Sequence, residues 1–84
     1  MDDHQILDRI HQLMQEEHAL REALEHGLAG QTGHLQAPKR IQELEVEADR
    51  CWDLLRQRRA RREAGAAPAG AHLRPAAEVE GYLD

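Results

Sequence analysis

The sequence predicts an all-α protein: an antiparallel two-helix hairpin, coiled-coil-like, with a short C-terminal element. Three observations carry that prediction. Apolar residues recur at alternating three- and four-residue steps through two long segments. A glycine-rich stretch with one proline separates those segments. The chain has no Phe, one Trp and one Tyr, so its core must come from Leu, Ile, Val, Ala and Met, which suits helix packing and nearly excludes an all-β fold. At 84 residues it holds at most one small domain, and a chain of this size needs support beyond a single seam.

In the first segment Ile6, Ile10, Leu13, Leu20 and Leu24 keep the helical rhythm when Glu17 is counted as the missing member. The helix spans about 3–26, with Asp2 or Asp3 capping its first turn and Gly27 stopping it. The stretch GLAGQTGHLQAPK, residues 27–39, reads as a connection, with Pro38 in the first turn of the next helix. Ile41, Leu44, Ala48, Cys51 and Leu55 continue the rhythm over about 39–64, and Arg58 and Arg62 extend it. A turn near residue 32 sets Leu24 near Ile41, Leu20 near Leu44, Leu13 near Cys51 and Trp52, and Ile10 near Leu55. Residues 1–65 thus form the hairpin. Residues 66–84, rich in Ala, Gly and Pro, form a linker and a short element that places Val79, Tyr82 and Leu83 on one docking face.

Charge is unevenly distributed. Residues 1–37 carry seven acids against Arg9 and Arg21, whereas residues 38–63 carry eight bases against six acids. In an antiparallel hairpin the basic end of helix two lies beside the acidic start of helix one, so Asp2, Asp3 and Asp8 are the expected neighbours of Arg56, Arg58, Arg59 and Arg62. The arginine run is therefore read as serving the fold. A nucleic-acid role would need a net positive face and aromatic platforms, and this chain carries a net charge of -5 and almost no aromatics.

Four segments carry a resemblance: MDDHQIL (1–7), EEHALR (16–21), CWDLLRQRRARREAG (51–65) and RPAAEVEGYL (74–83). In this order the chain resembles a bacterial family of short proteins known only as a domain of unknown function, the CWDLLRQRRA box being the most specific part. The resemblance implies a stand-alone helical protein and carries over no catalytic or binding residue.

Candidate chemistry is sparse. A single Cys51 excludes an internal disulfide and a cysteine-based zinc site, and its inward position makes it a small buried hydrophobe. Glu17 on the apolar seam is either an ion-paired carboxylate or, with His18 and Glu45, part of a metal site; no Glu-x-x-His motif of the di-metal bundles occurs. His4, His11 and His18 line one stripe of helix one, which is read as a solvated flank with metal binding as the sharper alternative. No phosphate loop, nucleophile triad or zincin motif is present, which argues against an enzyme and against a cofactor. The N-terminus is acidic and no apolar run approaches the roughly 18 residues of a membrane span, so a cytoplasmic chain without membrane insertion is expected. The leading expectation is a non-catalytic structural or protein-interaction module that forms a homodimer. The residues expected to carry contact are Leu7, Met14, Trp52, Leu54, Arg56, Arg58 and Arg59. A nucleic-acid-associated regulator and a metal-binding bundle are the alternatives.

Overall fold

The computed structural model describes the backbone of residues 1–27 and 30–83, and the side chains of residues 1–27 and 36–82. Helix α1 spans Asp3–Glu25, α2 spans Gly30–Glu63, a 3₁₀ turn covers Pro68–Gly70, and α3 spans Ala76–Leu83. Among the described residues there is no strand. At about 1.5 Å per residue the 34 residues of α2 span about 51 Å, and this matches the long dimension of the molecule, 51 Å. The other elements pack along this one rod.

The caps of α1 follow from its sequence. Asp2 sits outside the first turn, its carboxylate accepts from the Gln5 backbone N–H at 2.8 Å, and the Gln5 side chain accepts from the Asp2 N–H at 2.9 Å. Gly27, with φ +66, ends α1 in the left-handed region, and Gly65, with φ +77, does the same after α2. At the second site the Gly65 N–H donates to the Arg62 carbonyl at 3.1 Å and the Ala66 N–H to the Arg61 carbonyl at 2.8 Å, a Schellman-type stop.

The second helix starts at Gly30 rather than at residue 39, so Pro38 lies inside it and most of the expected connection is helical. The expected turn at residue 32 falls within α2; residues 28–29 lie outside the described residues. Glycine costs roughly 1 kcal/mol against alanine inside a helix, and proline about 3. Those costs are tolerated here because Ala37 and Ile41 are buried on the same face as Leu44 and extend the packed seam back toward α1. The two edges of the hairpin pair differently: Arg9 reaches Glu47 at 2.6 Å and Arg40 reaches Glu16 at 3.1 Å, nearer the start of α2 than a turn at 32 gives, whereas Arg21–Glu45 and Asp3–Arg62, both at 2.6 Å, keep the expected spacing.

Ile6, Ile10 and Leu13 of α1 pack with Leu44, Cys51 and Leu54 of α2, with Leu20, Ala48, Leu55 and Ala71 half-buried around them. The C-terminal residues lie along the flank of α2 that carries Arg50, Asp53 and Gln57. Val79 of α3 is completely buried. Tyr82 does not share that burial: it is 62% exposed, its ring lies 5.0 Å from the Arg74 guanidinium, and its hydroxyl accepts from Arg74 Nη1 at 3.0 Å. The Leu83 side chain lies outside the described residues.

Candidate interaction surface

The hairpin has two unlike edges. Residues seven apart on a helix lie nearly above one another, so Leu7, Met14 and Arg21 form one line on α1, and Glu45, Trp52 and Arg59 form one line on α2. Arg21 Nη2 donates to Glu45 Oε1 at 2.6 Å and ties the two lines together near the turn. Along this edge Leu7, Met14 and Trp52 are 45%, 55% and 43% exposed. These three side chains are the large apolar surface of the hairpin edge.

Leu54 does not belong to that edge. Although expected among the contact residues, it is 7% exposed and sits in the core cluster beside Cys51. Two residues along a helix turn the side chain by about 200°, which carries Leu54 from the open flank to the opposite side of the seam.

The arginine run separates into distinct duties. Arg58 Nε and Arg62 Nη2 both donate to the Asp3 carboxylate, the latter at 2.6 Å, and clamp the end of α2 to the start of α1. The two guanidinium groups hold the Asp3 carboxyl below the usual carboxylate range, Arg62 having the larger effect. Asp2 is engaged in capping, and Asp8 makes no ion pair among the described residues, so the expected acidic cluster contracts to Asp3. Arg61 Nε donates to the Ala67 carbonyl at 2.6 Å and holds the chain as it leaves α2. Arg59 pairs with Glu63 one turn on at 3.2 Å, and the nearest acid to Arg56 is Asp53, at 3.9 Å. Arg56 and Arg59 thus stand at the open edge beside Trp52, whereas Arg58 is half-buried in the hairpin.

The other edge holds a polar latch that the sequence reading missed. Asp53 is 2% exposed, yet it is a carboxylate on α2. Arg74 grips it in a fork, with Nε donating to Oδ2 at 2.8 Å and Nη2 donating to Oδ1 at 2.5 Å. Gln57 Nε2 donates to Oδ2 at 2.9 Å and also to the His72 carbonyl at 2.9 Å, and Arg50 Nε donates to the Arg74 carbonyl at 2.8 Å. The hydrogen bonds from Arg74 hold the Asp53 carboxyl below its ordinary range despite its burial. Among the described residues no buried side-chain nitrogen or oxygen lacks a hydrogen bond. The spacing of Arg50, Asp53 and Gln57, at i, i+3 and i+7, was the available signal: a polar line on a helix flanked by apolar residues, paired with the single arginine of an otherwise Ala-, Gly- and Pro-rich tail.

The residues considered for metal have other partners. Arg21 Nε donates to Glu17 at 3.0 Å and Arg21 Nη2 to Glu45, so a guanidinium lies between the two carboxylates. His18 faces Glu22 at 3.6 Å, and His11 shares a hydrogen bond with Gln15 at 3.1 Å. Among the described residues no three His, Cys, Asp or Glu side chains gather as a metal-binding group. Burial pushes the Cys51 thiol up, with Glu47 adding to the shift, which keeps it protonated and weakly nucleophilic at neutral pH. No helix among the described residues is long and apolar enough to cross a membrane.

The chain is 49% identical over 80 residues to Uncharacterized protein Rv0898c of Mycobacterium tuberculosis (strain ATCC 25618 / H37Rv), covering 95% of this chain and 88% of the relative. It is equally similar, with the same coverage, to Uncharacterized protein Mb0922c of Mycobacterium bovis. No solved structure matches it. The model for "Protein of unknown function (DUF2630)" matches residues 2–84, and the chain belongs to that family.

Proposed function

We propose that this chain acts as a small cytoplasmic protein-interaction module that does no chemistry of its own and works as a homodimer. One observation carries the reading: Leu7, Met14 and Trp52 stand exposed on the hairpin edge that the latch does not cover. A hairpin with one edge covered by its own tail and the other left apolar is half of a helical bundle, and pairing two such edges completes the core. Arg56 and Arg59 frame the edge with charge that the fold does not consume, which suits them to orienting a partner rather than adding affinity. Arg58 contributes indirectly by fixing the end of α2 that presents them.

Light scattering coupled to size exclusion tests the proposal at tens of micromolar chain. A species of about twice 9.6 kDa is expected, and Trp52→Glu is expected to give a helical monomer. A wild-type monomer across that concentration range would overturn the reading.

A further inference from the structure

The exposed line of α2 continues beyond Trp52 in both directions, and its chemistry is ordered. Glu45, Asp49, Trp52, Arg56 and Arg59 follow one another at steps of four, three, four and three residues, the spacing of a coiled-coil seam. They share one stripe of the helix, set apart from the core stripe of Leu44, Ala48, Cys51 and Leu55 and from the latch stripe of Arg50, Asp53 and Gln57. Glu45, Trp52, Arg56 and Arg59 are exposed and Asp49 is half-buried. The stripe therefore reads acid, acid, tryptophan, arginine, arginine.

That order is self-complementary. An antiparallel copy of the same stripe, turned about a two-fold axis through Trp52, brings Glu45 opposite Arg59 of the copy and Asp49 opposite Arg56 of the copy, with the two indoles at the centre. A parallel copy would instead put acid on acid and arginine on arginine. Resting on the reading of the open edge as a dimer surface, we infer that its partner is a second copy of this chain. The two copies pair α2 on α2 in antiparallel sense about Trp52, and the Glu45, Asp49, Arg56 and Arg59 charges select that register.

The intramolecular contacts leave these groups available. Asp49 makes no ion pair among the described residues, Arg56 comes no closer than 3.9 Å to Asp53, and Arg59 has only the solvent-exposed Glu63 one turn along. Glu45 already holds Arg21 and has a second oxygen to offer to Arg59 of the copy. The same two-fold sets Leu7 and Met14 of one α1 against the matching α1, beside the histidine stripe of His4 and His11. The size is adequate: two helices about 10 Å wide, overlapping over the roughly 35 Å of α1, present about 700 Å² per copy, close to the roughly 800 Å² of a standard interface.

The test uses two full-length variants. Glu45→Arg with Asp49→Arg makes the stripe uniformly basic, and Arg56→Glu with Arg59→Glu makes it uniformly acidic. Each alone is expected to weaken self-association at least about tenfold, because every cross-pair becomes repulsive. An equimolar mixture is expected to restore a dimer containing one chain of each kind, read by native mass spectrometry, with circular dichroism showing that both variants stay helical. Asp49→Arg alone, which spares the Arg21–Glu45 pair, provides the same reading if the double variant loses helicity. Wild-type dimers with variants that remain dimers, or with a mixture that stays monomeric, would overturn this register while leaving the dimer reading intact. A wild-type monomer would overturn both.

Discussion

Arg74→Ala is the most informative single change. It removes the fork from Asp53, whose carboxylate is 2% exposed and would retain the Gln57 hydrogen bond and the more distant Arg56 guanidinium at 3.9 Å. Taking one partner from a buried ion pair costs about 3–5 kcal/mol. The Arg74 side chain is itself 25% exposed, so water enters part of the gap and the expected loss is at the lower end, about 3 kcal/mol. A domain of this size has a total stability of about 4–13 kcal/mol, so the change removes a large share. It corresponds to a fall in Tm of about 12–24 °C. Urea unfolding followed by circular dichroism at fixed chain concentration measures it, and hydrogen exchange shows where the loss resides: amides of 76–83 are expected to lose protection before those of α1. A loss below about 1 kcal/mol, with protection at Val79 unchanged, would refute the idea that the pair fastens the tail.

Other expectations concern the remaining contacts. The depressed Asp53 carboxyl contributes stability above its ordinary titration range, and that contribution fades as pH falls through its lower folded value; acid unfolding should therefore become less steep in Arg74→Ala, as a pH series of urea midpoints would show. Leu13→Ala opens a cavity at a position 1% exposed and should cost about 2–5 kcal/mol by the same urea assay. Arg58→Glu should lower Tm, and adding Asp3→Lys should recover part of the loss; strictly additive losses in that cycle would remove Asp3 as the clamp. Pro38→Ala should raise the urea midpoint, by at most about 3 kcal/mol of added stability, since Pro38 lies within α2.

The hairpin was legible because its signals are local and repeated. Ile6, Ile10 and Leu13 face inward as their spacing demands, and Asp2 caps α1 as its position suggests. The start of α2 was not legible. Glycine and proline in residues 30–38 argue for a loop on propensity alone, and only the tertiary burial of Ala37 and Ile41 reverses that preference. The open edge could be half read: Leu7, Met14 and Trp52 follow from helical spacing, but Leu54 needed the position of the tail to show which flank was closed. The latch lay beyond periodicity, because Asp53 and Arg74 are 21 residues apart and belong to different elements, so their pairing depends on how the tail folds back.

Four consecutive residues of α2 serve three different surroundings. Cys51 and Leu54 enter the seam with α1, Asp53 holds the tail, and Trp52 stands at the open edge. Among the described residues, α1, the 3₁₀ turn and α3 pack on α2 and not on one another. Within this single turn, hairpin, tail and outer surface meet at consecutive residues. Most helices show a period in which substitutions are tolerated, with each constrained position followed by two or three free ones. Here that period should vanish. A saturation scan of residues 51–54 should find an unbroken block with no neutral position, while the same scan over 56–63 should recover alternation, with Arg58 and Arg62 sensitive and Ala60 and Glu63 permissive.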